Sequence, residues 1–328
     1  MTAVLTERQP PPSALPGRRV VLKSSAGIGD SIFRNLTLIF ALSILAIAAA
    51  IAWQLFKNSS LSRHAFGWSF LAKQIWDPVK ENYGALPFIY GTLVSSAIAL
   101  LIAVPLGVGV AIFLAELAPQ KVSDTCAFLI ELLAAIPSVV YGLIGVFVLV
   151  PFMRVHMQPF LINTLGFLPL FRGPAYGVGM LTAALVLAVM IVPFITTISR
   201  EIFMSVPASL KEAAMALGAT HWEVVRLAVL PYSRSGIAGS VFLALGRALG
   251  ETMAVTMVIG NRPEIMASLL APGYTMAAVL ANEFTEATSD LYVHTLIEIG
   301  LVLFAITILV NAIGRLILYR MSPHAETH

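Results

Sequence analysis

The chain has 328 residues, of which 58% are hydrophobic and 11% are charged, with a formal net charge of +3. A soluble domain carries about 25% charged residues, so the composition indicates an integral membrane protein. The basic residues lie mainly between apolar runs, and we do not expect nucleic-acid binding. The single cysteine, Cys126, excludes an intramolecular disulfide and fits no metal-ligand spacing.

Residues 1–35 are predicted to form a polar cytoplasmic arm that contains Pro10, Pro11 and Pro12. We do not expect a signal peptide, because the apolar run that follows is too long and no small-residue cleavage site comes after it. Residues 321–328 are predicted to form a short C-terminal tail.

Six apolar runs lie between the arm and the tail. Each exceeds the ~20 residues that an α-helix needs to cross the hydrocarbon core. The runs cover residues 36–56, 88–114, 126–150, 176–198, 236–260 and 291–319. The sequence therefore predicts an all-α integral membrane domain over residues 36–320, with six transmembrane helices. Pro105, Pro137 and Pro193 lie inside the runs and should each kink a helix, because proline removes a backbone donor.

The distribution of lysine and arginine favours an orientation with both termini in the cytoplasm. In that orientation the cytoplasmic segments hold twelve of the twenty basic residues and the outer segments hold seven. Cytoplasmic loops of membrane proteins carry such an excess. The remaining basic residue is Arg247, which lies inside an apolar run.

The predicted outer segments contain aromatic and acidic residues. Residues 57–87 carry Trp68, Trp76 and Tyr83, which are typical of a membrane interface, although an ordinary loop explains them equally well. The last outer loop is acidic, with Glu283, Glu286 and Asp290. Since it would repel an anion, we expect it to contact a docking partner or water.

The predicted cytoplasmic loop between the fourth and fifth runs is unusually ordered. Residues 210–217 are strong helix formers, and Gly218 suits the end of a helix, where a positive φ is needed. Thr220 can cap a second helix, because Glu223 stands three residues later and completes a capping box. Pro231 is predicted to stop that second helix.

This loop, residues 207–231, resembles the EAA motif of bacterial importer permeases of the ATP-binding cassette (ABC) class. That motif reads EAA, three residues, Gly, nine residues, Ile, one residue and Leu-Pro. The matching residues are Glu212, Ala213, Ala214, Gly218, Leu230 and Pro231, and Ala228 replaces the isoleucine. The resemblance implies that the loop docks in a cleft of a separate ATPase subunit. An amphipathic helix lying on the membrane is the alternative.

The chain contains no Gly-Lys dipeptide and hence no Walker A loop for ATP. We therefore expect a transporter subunit that is not itself an enzyme and binds no cofactor. ATP and Mg²⁺ would be held by the partner ATPase.

The fifth apolar run contains two charges, Arg247 and Glu251. A charge at the bilayer centre costs roughly 2.5–3.5 kcal/mol on insertion scales, so it needs a partner, a cavity or a ligand. Residues four apart on a helix are separated by ~40°, and the two side chains are predicted to share one face near the midplane. Gly246 and Gly250, extended by Gly239, form a small-residue stripe predicted to pack against a neighbouring helix.

Arg247 suits an oxyanion, because guanidinium offers planar, bidentate donors and stays protonated. Glu251 would either neutralise the arginine or accept a hydrogen bond from a protonated anion such as hydrogen phosphate. We predict that both residues line the substrate pathway. A buried ion pair that only fixes helix register is the alternative.

Residues 245–255 and 131–142 resemble the PstC-type permeases of the bacterial phosphate-specific ABC transporter, and the resemblance extends from the first run to the last. It implies the type I ABC importer permease fold and import of inorganic phosphate across the bacterial cytoplasmic membrane. Arg247 and Glu251 match positions that this family associates with phosphate passage.

The same resemblance implies three partners: a second, homologous permease (PstA-like), a dimeric ATPase (PstB-like) and an extracytoplasmic phosphate-binding protein (PstS-like). Spacing alone does not separate phosphate from molybdate, sulfate or phosphonate. An ion-coupled secondary transporter, with Arg247 and Glu251 as a proton relay, is a further alternative, although such a carrier has no ATPase to dock.

Overall fold

The structure, a computed structural model, describes residues 28–321. Most of the predicted N-terminal arm and the tail from residue 322 lie outside the described residues. Residues 28–35, which were predicted to belong to the arm, are instead the first turns of a helix. The chain divides into two compact units, Met1–Ile51 and Ala52–His328.

The described residues are helical apart from turns and one isolated antiparallel bridge between Asp77 and Asn82. The α-helices are α1 (Ile28–Asn58), α2 (Ser60–Phe66), α3 (Ser69–Ala72), α4 (Leu86–Ile112), α5 (Gln120–Ala135), α6 (Ser138–Ile144), α7 (Val150–Phe152), α8 (Gln158–Leu165), α9 (Met180–Met204), α10 (Ala208–Ala216), α11 (His221–Val224), α12 (Leu230–Leu249), α13 (Met253–Val258), α14 (Met276–Glu283) and α15 (Asp290–Met321). Single π-helical turns occur at Phe113–Leu117, Gly145–Leu149, Met153–Met157 and Val225–Val229, and a 3₁₀ turn occurs at Pro169–Phe171.

Six helical segments within residues 28–321 are long and apolar enough to cross a membrane, which confirms the predicted all-α, six-span architecture. They are Asp30–Asn58, Leu86–Leu117, Ser138–Leu165, Met180–Met204, His221–Leu249 and Asp290–Arg320. The third and fifth segments differ most from the predicted bounds. Pro137, predicted to kink the third span, and Pro231, predicted to end a loop helix, both behave differently in the structure.

The third span begins at Ser138 rather than at residue 126. Pro137 disfavours helical backbone at the residue before it, and Ile136 is extended with ψ 130°. As a result α5 ends at Ala135 and a new helix begins after the proline. The predicted kink is therefore a complete break between two helices.

The fifth span begins at His221, and Pro231 does not stop it. The π-helical turn Val225–Val229 comes immediately before α12, in which the proline occupies the first turn. A π turn changes the local hydrogen-bond register, which lets a helix tolerate a residue without an N–H group. Pro105 and Pro193 lie inside α4 and α9, which continue through them.

The packing of α4 against α9 forms the centre of the second unit. A side-chain carbon at Gly107 would lie only 2.9 Å from Cγ2 of Ile195, so the close approach of the two helices requires glycine there. The Thr196 hydroxyl donates to the carbonyl oxygen of Gly107 over 3.2 Å. The interrupted helices pack against this pair.

An aromatic cluster joins residues 70–88 to α14 and α15. The Trp76 indole N–H donates to Glu283 Oε2 over 2.8 Å, and the Tyr292 hydroxyl donates to the same oxygen over 2.5 Å. Glu283 is thus held by bonds within the chain, whereas Glu286 and Asp290, the other carboxylates of the acidic outer loop, are exposed. Tyr83 is fully buried, whereas the Trp68 side chain is 88% exposed. Trp76 is partly buried, so of the three aromatic residues only Trp68 is exposed.

Candidate translocation and coupling sites

The coupling loop has the predicted helix–glycine–helix geometry. Helix α10 ends at Ala216, and Gly218 has φ +88°. Thr220 caps α11: its hydroxyl accepts from the Glu223 N–H over 3.4 Å, and its own N–H donates to Glu223 Oε2 over 2.7 Å. Both halves of the capping box are confirmed, so the direction of the chain after Gly218 is set by local hydrogen bonds.

The two faces of the coupling loop differ in exposure. Ala214, Ala228 and Leu230 pack against a small apolar cluster around Phe203. The opposite face is open: Glu212, Ala213 and Gly218 are exposed, and the Leu217 side chain is 90% exposed. An exposed leucine beside small residues and a carboxylate is suited to contact with another protein. Among the motif residues, Ala214 and Leu230 thus anchor the loop to the membrane domain. Glu212, Ala213 and Gly218 remain available for contact with another protein.

An ion pair that the sequence did not reveal connects the coupling loop to the second span. Lys211 Nζ lies 2.6 Å from Glu116 Oε1, and the two side chains are only 22% and 10% exposed. Glu116 lies in the π-helical turn that follows α4. The partners are 95 residues apart, so no local pattern indicates the pairing. Arg200 of α9 likewise donates to a distant residue, the Ser123 hydroxyl of α5, over 3.0 Å.

The structure separates Arg247 and Glu251 instead of placing them on one helical face. Helix α12 ends at Leu249, so Arg247 lies in its last turn and Glu251 lies beyond its end. Glu251 Oε1 accepts from the Ala254 N–H over 3.2 Å, at the start of α13. Within the part of the chain that the structure describes, the two side chains form no ion pair. The predicted shared face is wrong, because glycine and the backbone at Thr252 interrupt the helix.

Each charge at this break also has a favourable helix end. A cation in the last turn of a helix is stabilised by the partial negative charge there, by about 0.3–1 kcal/mol at an exposed position. The carboxylate of Glu251 accepts a backbone donor that has no partner within its own helix. Arg247 is exposed, and its guanidinium donates no hydrogen bond to any residue in 28–321. Its donors thus have no protein partner among the described residues.

The helix breaks in the third and fifth spans lie against each other. Helices α6 and α13, which follow the two breaks, pack closely: a side-chain carbon at Gly142 would lie 3.1 Å from the Ala254 Cα. Arg247 lies close enough to the Tyr141 phenol for the two to interact electrostatically. The segments 131–142 and 245–255, which are far apart in the sequence, therefore meet. Discontinuous helices of this kind bring helix ends and polar backbone to the interior of transporters.

Within residues 28–321 no helix packs tightly against Gly239 and Gly246 of the predicted glycine stripe on α12. No other part of the described chain comes within 4 Å of a side-chain carbon placed at Gly239. At Gly246 the nearest such atom is Asn311 Oδ1, at 3.9 Å. The close contacts of α12 are elsewhere, where Gly314 faces Phe242. The stripe is open to another chain.

The sequence matches the family of binding-protein-dependent transport system inner membrane components over residues 103–326. It is 51% identical over 296 residues to the phosphate transport system permease protein PstC of Mesorhizobium japonicum, covering 89% of this chain and 90% of that protein. The protein of the same name from Haemophilus influenzae is 49% identical over 296 residues, with 89% and 94% covered. A probable PstC of Methanocaldococcus jannaschii is 36% identical over 300 residues, with 90% and 95% covered.

Solved structures with a similar fold include a chain of the MetNI methionine ABC transporter in an inward-facing conformation. The TM-score is 0.52 at 17% identity, covering 76% of this chain and all of that chain. A chain of a bacterial ABC transporter that imports alginate has a TM-score of 0.52 at 15% identity, with 87% and 98% covered. These likenesses confirm the predicted ABC importer permease fold. The protein is a multi-pass membrane protein, and the chain belongs to the family of binding-protein-dependent transport system inner membrane components.

Proposed function

We propose that this chain is the permease subunit of an ATP-driven importer of inorganic phosphate in the bacterial cytoplasmic membrane. The observation that carries the proposal is the 51% identity, over nearly the whole of both chains, to a protein named as a phosphate transport permease. The open coupling loop and the juxtaposed helix breaks are the features that such a subunit needs.

Arg247 is the proposed phosphate contact in the pathway. Its exposed guanidinium lies at the junction of two interrupted helices, and its N–H donors have no protein partner among residues 28–321. Guanidinium binds phosphate oxygens in a planar, bidentate geometry that lysine does not reproduce. Glu251 stands on the other side of the break, where its carboxylate would accept the hydroxyl hydrogen of a protonated phosphate. Because the two charges are not paired with each other, an entering anion would not have to break an ion pair.

The exposed face of the coupling loop is the proposed docking site for the ATPase. Glu212, Ala213 and Leu217 would lie in the partner's cleft, while Ala214 and Leu230 hold the loop on the membrane domain. The Lys211–Glu116 pair would then carry a displacement of the loop directly to the second span. Lysine and arginine counts favour placing this loop and both termini in the cytoplasm.

A second, homologous permease is the proposed neighbour of the open glycine stripe on α12. Small residues allow close approach of helices in a membrane, and no atom of residues 28–321 outside its own stretch of helix lies within 4 Å of a side-chain carbon placed at Gly239. A binding protein would deliver phosphate at the end of the spans opposite the coupling loop. ATP and Mg²⁺ belong to the ATPase subunit in this scheme.

Uptake of radiolabelled phosphate by vesicles that contain the assembled complex tests the proposal. We expect ATP-dependent uptake that excess unlabelled phosphate suppresses and that sulfate or molybdate leaves unchanged. Suppression by sulfate or molybdate at equal concentration would instead assign the permease to another oxyanion. Uptake that persists without ATP but follows a proton gradient would identify a secondary transporter.

A further inference from the structure

A cavity of about 440 Å³ lies between the end of α1, the segment around α2 and α3, and the middle of α15. This volume falls within the ~300–1,000 Å³ typical of ligand pockets. The walls are mostly apolar and include Phe56, Leu71, Leu301 and Val302. Arg63 and Glu298 supply the polar part of the lining. None of the residues of the proposed phosphate pathway or coupling loop belongs to it.

Arg63 is held in a fixed position beside this cavity. Its guanidinium lies 3.7 Å above the centre of the Phe56 ring. Its Nε donates to the Ser59 hydroxyl over 3.1 Å, and its Nη2 donates to the Phe56 carbonyl oxygen over 2.6 Å. These bonds use two of the five N–H donors of arginine. The cation is thus preorganised, with donors remaining for an anion.

Glu298 contributes an acidic group to the same cavity. Its side chain is only 5% exposed, and its Oε2 atom has no hydrogen-bond partner among residues 28–321. Arg63 is its electrostatic neighbour, but the two do not approach within 4.0 Å as an ion pair. Ser62 is hydrogen-bonded to the Glu298 carboxyl, but a buried Oε2 without a donor is costly, so a ligand that brings a second donor gains binding energy here. The cavity therefore offers a cation, an acid and apolar walls together.

We propose that this cavity binds a phospholipid whose headgroup carries a primary ammonium. The phosphate would lie against Arg63, the ammonium would turn towards Glu298, and an acyl chain would follow the walls formed by α1 and α15. Free phosphate does not fit this description, because it has nothing to place against the apolar walls. Trp68, 88% exposed at the rim, has the position expected of an indole at the headgroup level.

Native mass spectrometry of the full-length protein, purified in its complex and given one lipid at a time, tests the proposal. The probes are phosphatidylethanolamine and phosphatidylcholine, whose trimethylated headgroup has no N–H donor. We expect the wild type to retain phosphatidylethanolamine about tenfold more strongly, the effect of one charge-assisted hydrogen bond. Glu298→Gln should remove this preference while leaving phosphatidylcholine binding unchanged, and Arg63→Gln should weaken binding of both lipids.

Matched controls remove one charge elsewhere on the chain. Glu286→Gln changes an exposed acid, and Lys80→Gln changes a cation whose side chain is 81% exposed; both should retain the wild-type pattern. Size-exclusion chromatography reports whether each variant still assembles. Equal retention of the two lipids by the wild type would overturn the proposal. So would an assembled Glu298→Gln variant that keeps the preference, because the cavity would then hold only water or unselected lipid.

Discussion

The coupling loop and the helix break after Leu249 hold their charges in opposite ways. In the loop, Lys211 pairs with Glu116 at 2.6 Å, and Glu223 closes a capping box. At the break, Arg247 is exposed and Glu251 bonds only to backbone. In the proposed mechanism this difference follows from the two roles: the charge that transmits motion has a fixed partner, whereas the charge that meets the anion keeps free donors.

The largest expected effect on phosphate uptake comes from substitution of Arg247. Arg247→Gln should abolish phosphate uptake while the complex still assembles, because glutamine cannot offer the charged, bidentate donors. Uptake of labelled phosphate and co-purification of the partner subunits measure the two quantities. Arg315→Gln, at an exposed position of α15, is the control and should retain uptake. Normal uptake by the Arg247 variant would show that the free donors have no role in transport.

On the contact face of the loop, Glu212→Arg should release or uncouple the ATPase. The substitution places a large cation where a carboxylate and small residues are exposed, so the partner can no longer approach closely. Phosphate-stimulated ATP hydrolysis and co-purification of the ATPase are the measurements. Asp30→Arg makes a similar change at an exposed acid in the first turn of α1 and should leave both unaffected. Unchanged stimulation in the Glu212 variant would place the docking site elsewhere.

Glu251 allows its two roles to be separated. Glu251→Gln keeps an oxygen that can accept from the Ala254 N–H but removes the charge, and we expect about tenfold slower uptake with normal assembly. Glu251→Ala removes the cap as well and should lower the thermal stability of the complex. If the glutamine variant transports at the wild-type rate, the residue is a helix cap and nothing more.

A smaller effect on transport is expected when the Lys211–Glu116 ion pair is broken. Lys211→Met should lower the amount of phosphate moved per ATP hydrolysed, because the loop loses its direct connection to the second span. Removing one partner of a fully buried pair costs about 3–5 kcal/mol, and this partly exposed pair should cost less. The reversed pair, Lys211→Glu with Glu116→Lys, should recover part of the coupling. A double variant no better than the single ones would argue against a direct connection.

The smallest effect concerns the local cap of the loop. Thr220→Ala should destabilise α11 by about 1 kcal/mol, the usual cost of losing an N-cap side chain. Hydrogen exchange of the amides at residues 221–224 should become faster. Thr125→Ala, which removes an exposed hydroxyl bonded within α5, should leave those amides unchanged. Unaltered exchange in the Thr220 variant would show that packing on the apolar cluster, rather than the cap, holds the loop.

Prediction from the sequence succeeded where the controlling interactions are local. The positive φ at Gly218 and the capping box at Thr220 depend on residues within four positions of each other. It failed at the prolines: Pro137 breaks a span and Pro231 does not. Both lie in apolar stretches, and only the backbone around each of them, extended at Ile136 and π-helical before Leu230, decides which outcome occurs.

The sequence by itself determined the all-α membrane class, the presence of six spans and the form of the coupling loop, since hydrophobicity and capping act over short stretches. Only the tertiary structure decided that Arg247 and Glu251 lie on two sides of a helix break, that Lys211 meets Glu116, and that the breaks at residues 136 and 250 lie together. Those arrangements depend on packing between segments far apart in the chain. The pattern of apolar residues predicts a helix but does not identify the helix against which it packs.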